Sequence, residues 1–103
     1  MPTITKTGDF HDRTGNFSRR VAQYTGPSSY VTGGDSFPPE SIGLGQIQVL
    51  LFELAINAAG TVRGLVYDTT NEKVLWYVLD TGAEVANGTD LSGFSARFEA
   101  VGK

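Results

Sequence analysis

Between Phe94 and Val101 the chain alternates without a slip: Phe94, Ala96, Phe98 and Ala100 fall on one side, Ser95, Arg97 and Glu99 on the other. A period of two sends successive side chains to opposite faces of a strand, so this segment predicts a half-buried strand. The stretch before it is more demanding. Val62 to Asp68 and Val74 to Leu79 read as two strands joined by the polar loop Thr69 to Lys73, a hairpin. Leu65 and Tyr67 share one face of the first strand, and Val74, Trp76 and Val78 one face of the second. The other face of that second strand carries Leu75, Tyr77 and Leu79. A strand that is apolar on both sides has to be covered on both sides.

In 103 residues there is room for one domain, and a domain this small hides only about two thirds of the surface its unfolded chain would expose. The second cover is therefore expected from another chain. Hydrophobic residues are 40% and charged residues 18%, which is neither a disordered nor a highly charged composition. The formal net charge of −3 argues against nucleic acid as a partner, because phosphate binding needs a concentrated Lys/Arg surface. The basic pair Arg19-Arg20 opens a strand and reads as a solvated or subunit-facing pair. With no cysteine, neither a disulfide nor a thiolate metal site can form, which fits a reducing compartment. The N-terminal residues show no apolar run of the secretory kind, and the longest apolar stretch, Val49 to Leu54, is too short for a membrane helix.

Residues 1–17 carry Gly8, Gly15 and His11 with no sustained period, and predict an extended arm or loop that a partner could order. The single β domain then runs over 18–103. Ser18 to Tyr24 is its first strand, and Tyr30 to Thr32 a brief extended piece between Gly26-Pro27 and Gly33-Gly34. Pro38-Pro39-Glu40-Ser41 allows one helical turn, with Ser36 as a candidate cap. Gln46 to Ile56 predicts a strand whose alternation changes phase near Leu50 to Phe52, the mark of a bulge or of burial on both sides. Glu84 to Ala86 is a short extended piece ended by Asn87-Gly88, a strong turn dipeptide. Short strands parted by polar turns, with no long helical period, predict an all-β fold, an antiparallel β-sandwich or jelly-roll-like small barrel with an extended N-terminal arm.

The residues that could carry chemistry do not converge. His11, in Asp9-Phe10-His11-Asp12, is the lone histidine, and both a metal site and a Ser-His-Asp triad would have to use it. Asp68, Glu72, Asp80, Glu84 and Asp90 sit in predicted turns, where Asp commonly bonds its own backbone. A glycosidase would need two of them facing each other across a cleft. Gly43-Leu44-Gly45 lacks the strand, the helix and the third glycine of a dinucleotide loop. Asn16-Phe17-Ser18 and Asn87-Gly88-Thr89 match the glycosylation pattern by chance. Trp76, Tyr67 and Tyr77 could form a sugar platform if exposed. The expectation is a binding protein, with no catalytic residues, no metal and no cofactor.

The run Gly64-Leu65-Val66-Tyr67-Asp68-Thr69-Thr70-Asn71-Glu72-Lys73-Val74-Leu75-Trp76-Tyr77, then Glu84-Val85-Ala86-Asn87-Gly88-Thr89-Asp90-Leu91-Ser92, then Ala96-Arg97-Phe98-Glu99-Ala100-Val101-Gly102 resembles small structural proteins of tailed bacteriophages, several of which decorate or cement the capsid. Ser29-Tyr30-Val31-Thr32-Gly33-Gly34-Asp35, leading to Pro38-Pro39-Glu40-Ser41-Ile42-Gly43-Leu44, is similar to the same group. The resemblance covers Ser18 to Gly102 and implies a subunit on the outside of a phage head, a homotrimer bound to the major capsid protein. Candidate contact residues for a neighbour or the shell are Phe10, Arg19, Arg20, Tyr30, Leu75, Tyr77 and Leu79. No membrane partner is expected. The rival expectation is a carbohydrate- or receptor-binding β module of a tail fibre or spike, which would require Tyr30, Trp76 or Tyr77 at the surface.

Overall fold

The computed structural model describes the backbone of residues 3–14 and 17–103, and the side chains of Ile4 and residues 18–103. The chain is all-β and antiparallel, a single curled sheet that forms a half-barrel, with no α-helix among the described residues. Its strands are β1 (Thr3–Thr14), β2 (Phe17–Thr25), β3 (Asp35–Ser36), β4 (Ile47–Phe52), β5 (Ala55–Ile56), β6 (Val62–Asp68), β7 (Lys73–Val78) and β8 (Ser95–Gly102). They lie in the order β1-β2-β8-β5-β6-β7-β3, and β4 pairs with β8 beside β5. The expected arm over residues 1–17, with the candidate Phe10 and the histidine His11, falls on side chains outside the described residues.

The alternating C-terminal segment is the central strand. β8 pairs with β2 along its whole length, from Ser18↔Gly102 to Thr25↔Ser95, and on its other edge with β4 and then β5. Ala96, Phe98 and Ala100 are buried on the concave side, together with Ala22 and Tyr24 of β2. Gly102 is required there, because a Cβ would stand 1.9 Å from the carbonyl oxygen of Gln46. The expected strand Gln46 to Ile56 is broken in two. The register slips between Ile47 and Val49, and Glu53-Leu54 separates β4 from β5 while the Glu53 N–H still reaches the Arg97 carbonyl at 2.9 Å. The irregularities therefore flank Leu50 to Phe52, and this break lets the sheet turn the corner from β8 to β6.

The β6–β7 hairpin forms as the alternation requires, with Leu65↔Trp76 and Tyr67↔Val74 in register. Its loop is shaped by Asp68, whose carboxylate accepts the N–H groups of Thr70 and Asn71 and the Asn71 side-chain amide at 2.7 Å. The segment between β2 and β4 covers the concave side. Tyr30, Phe37, Ile42 and Leu44 all enter the core from it, and Phe37 meets the rings of Tyr24, Phe52, Tyr67 and Phe98 at 5.5–6.3 Å. Such tilted and edge-on pairs each add roughly 1 kcal/mol beyond their area. Within this segment the one helical turn is 3-10, Pro39–Ile42, with Pro38 at its N-cap and no side-chain cap, so Ser36 does not serve it. Tyr30 to Thr32 and Glu84 to Ala86 remain outside the strands. The second of these contributes a single bridge, Tyr77↔Glu84.

Candidate interaction surface

Trp76 is enclosed, and two tyrosines grip it. The Tyr24 hydroxyl accepts the indole N–H at 3.3 Å and donates to Asp35 Oδ2 at 2.5 Å. The Tyr30 hydroxyl accepts the Trp76 backbone N–H at 3.2 Å and donates to Glu84 Oε2 at 2.6 Å, an oxygen that also takes the Gly33 N–H at 2.8 Å. The two carboxyls respond in opposite directions. Burial raises Asp35 above the ordinary carboxylate range, while hydrogen bonds from Tyr30 and Gly33 hold Glu84 below it. Burial also raises both phenols. These groups spend their hydrogen-bonding capacity on one another and tie the crossing segment to β7.

Arg20 and Tyr30, two of the expected contact residues, turn inward. Arg20 is 5% exposed; its Nε donates to the Ile42 carbonyl at 2.8 Å and one terminal nitrogen to the Gly43 carbonyl at 3.3 Å, closing the end of the 3-10 turn. Tyr30 is fully enclosed. Arg19 faces outward and pairs with Glu99 of β8 at 2.9 Å, both about half exposed. Leu75, Tyr77 and Leu79 lie where the alternation puts them, on the convex face of β7, with Leu75 and Tyr77 partly covered and Leu79 half exposed. Leu79 lies across Gly64, where a Cβ would meet its Cδ2 at 3.0 Å.

Register extends this convex face well beyond β7. Residues paired across strands share a face, so Tyr77 brings Gly64, Leu75 brings Val66, and Ile56 of β5 brings Val62. On β4 the outward positions are Val49, opposite Val101, and Leu51, opposite Glu99. Leu54 joins Ile56 beside Gln23 and Arg97 on the same side. Among the described residues, the large hydrophobic side chains 50–65% exposed are Val49, Leu51, Leu54, Ile56, Val66 and Leu79, all on this face, together with Val31 elsewhere. Exposed apolar side chains scattered singly need no explanation, but a belt running from β4 round to β7 does. Beside it, Arg97, Glu99, Glu53, Leu51 and Val21 line a shallow groove of about 340 Å³.

The sequence reading found the β7 end of this belt and missed the β4–β5 end. The signal was available: in Val49-Leu50-Leu51-Phe52 both parities are apolar, so one face had to be exposed or covered by a neighbour. A second cleft, at the end of the half-barrel, has Arg63 5.6 Å from the ring centre of Phe94 with Thr61, Thr89 and Asp90 nearby. Arg63 donates to the Val62 carbonyl and Asp90 binds Ser92, so its charged groups are engaged locally. No group of three or more His, Cys, Asp or Glu able to hold a metal is found among the described residues. Nor, among them, is any helix long and apolar enough to cross a membrane. Comparison with protein-family models, with curated proteins and with solved structures finds no match for this chain.

Proposed function

We propose that this chain is a structural protein of a bacteriophage virion, a capsid decoration or cement protein that binds the major capsid protein on the outer surface of the head and stabilises the shell as a homo-oligomer. The observation that carries the reading is the convex apolar belt, together with the resemblance of Ser18 to Gly102 to small phage structural proteins. Covering a half-exposed Leu, Ile or Val is worth roughly 1 kcal/mol, so the belt offers on the order of 6 kcal/mol. Association costs about 4–15 kcal/mol in lost freedom, so one such contact by itself binds weakly. A shell presents many identical sites, and subunits joined to one another are held by several weak contacts at once. The trimer is the stoichiometry that the resemblance implies. Acidity suits this location, since an outer protein does not meet packaged DNA.

The rival reading, a carbohydrate- or receptor-binding module, needs an aromatic platform. Tyr30 and Trp76 are enclosed with their polar atoms committed, and Tyr77 is only partly exposed, which favours the belt over the rings as the working surface. Electron cryo-microscopy of virions from the phage that encodes the chain is the test. Density for the half-barrel on the outer head, belt inward against the shell or against a neighbour, is the expected result. A head with no density for it defeats the proposal.

A further inference from the structure

The belt includes a strand edge that β6 approaches but does not pair with. β4 pairs with β8 on one side, and no strand pairs with its other side among the described residues. Its six residues, Ile47–Phe52, contain no charge and no proline. Natural sheets blunt an open edge with charges, prolines, bulges or brevity, because an unguarded one invites another strand. The edge at β3 is blunted in this way: it is two residues long, carries Asp35 and is followed by Pro38-Pro39. β4 has only the irregularity at Gln48, at its beginning.

We infer that β4 is the site at which a second copy of this chain adds to the sheet, antiparallel about a two-fold axis centred on Leu50. The inference rests on the self-association proposed above but not on its stoichiometry: a two-fold contact joins copies in pairs, whereas a cyclic trimer is closed by heterologous contacts. Three features select a second copy in this arrangement. Because Glu53 donates its N–H to Arg97, the residues of β4 bonded to β8 beyond the register slip are Val49 and Leu51, and the backbone groups of Leu50 and Phe52 point to the other edge. A two-fold at Leu50 sets even residues opposite even ones, as new hydrogen bonds require. Val49 then lies opposite Leu51 of the second copy in the closely spaced, non-hydrogen-bonded position, and the two exposed side chains cover each other. Charge placement excludes the parallel alternative, which would set Glu53 beside Glu53. In the antiparallel pair the two Glu53 side chains lie at opposite ends, about 20 Å apart. The pairing also joins the two belts into one continuous apolar surface.

The test uses sedimentation of the full chain at micromolar to submillimolar concentration, alongside a cross-linking variant. The chain has no cysteine, so Val49→Cys combined with Leu51→Cys introduces the sole thiols. Directly opposed residues in the proposed pair have Cα atoms about 4.5 Å apart, within disulfide range. Mild oxidation should convert most of the double variant to covalent dimer. The single Val49→Cys variant, whose thiols lie on a diagonal roughly 7–8 Å apart, should stay largely uncrosslinked. Leu51→Lys should weaken wild-type association at least tenfold, and Val66→Lys, on the belt but away from the edge, should change it less than twofold. Association that survives Leu51→Lys and is lost in Val66→Lys overturns the β4 edge while leaving self-association standing. A wild-type chain that stays monomeric throughout overturns self-association itself.

Discussion

Replacing Tyr24 by Phe removes one oxygen and two hydrogen bonds. The indole N–H of Trp76 loses its acceptor at 3.3 Å, and Asp35 loses its donor at 2.5 Å, while the ring and its contacts with Phe37, Phe52 and Trp76 remain. A buried N–H left without a partner costs about 1 kcal/mol, and an ionised carboxylate deprived of its donor about 1.5–3 kcal/mol. Asp35 is only partly buried, so solvent takes up some of the loss and the lower figure applies. Tyr24→Phe should therefore cost about 2.5 kcal/mol at pH 7, or on the order of 10–20 °C in Tm for a domain of this size. Near pH 3, with Asp35 protonated and neutral, the loss should shrink to about 1 kcal/mol. Urea unfolding followed by circular dichroism at both pH values measures this, with both chains at one low protein concentration because self-association stabilises by mass action. A loss below about 0.5 kcal/mol at pH 7, or the same loss at both pH values, would refute the account of the Tyr24–Asp35–Trp76 chain.

The two tyrosine-bound carboxyls should give the stability profile opposing slopes. Asp35 has a raised folded value, so its contribution is complete below the unfolded value near about 4 and declines as pH rises through the folded one; Asp35→Asn, which still accepts from Tyr24, should remove that decline. Glu84 has a depressed folded value, so its contribution is present above the unfolded value and is lost as pH falls through the folded one; Glu84→Gln should flatten the acid limb of a denaturation curve. Gly102→Ala should destabilise by about 3 kcal/mol or more, because its Cβ would collide with the backbone of Gln46, and thermal melts of the variant report it. Arg20→Met should cost about 2 kcal/mol in urea unfolding, since the Ile42 and Gly43 carbonyls lose charged donors, whereas Arg19→Met at the half-exposed Glu99 pair should cost less than about 1 kcal/mol.

Local pattern alone determined the all-β class, the β6–β7 hairpin with its Asp68 loop, the central strand near the C-terminus and the surplus of apolar surface on β7. These follow from a period of two and from turn chemistry, which act between residues close in the chain. Tertiary structure decided what distant residues do to one another. Arg19 and Arg20 are neighbours in sequence and opposite in fate, because alternation sends one to Glu99 at the surface and the other to the carbonyls ending a 3-10 turn that begins 19 residues later, at Pro39. Tyr30 reads as a loop aromatic free to make contacts, yet its hydroxyl is drawn inside by Trp76 and Glu84, 46 and 54 residues away. The β4–β5 half of the belt came into view in the same way. A run apolar in both parities shows that one face must be exposed or covered by a neighbour, but which one depends on the pairing with β8, and pairing is a property of the assembled sheet.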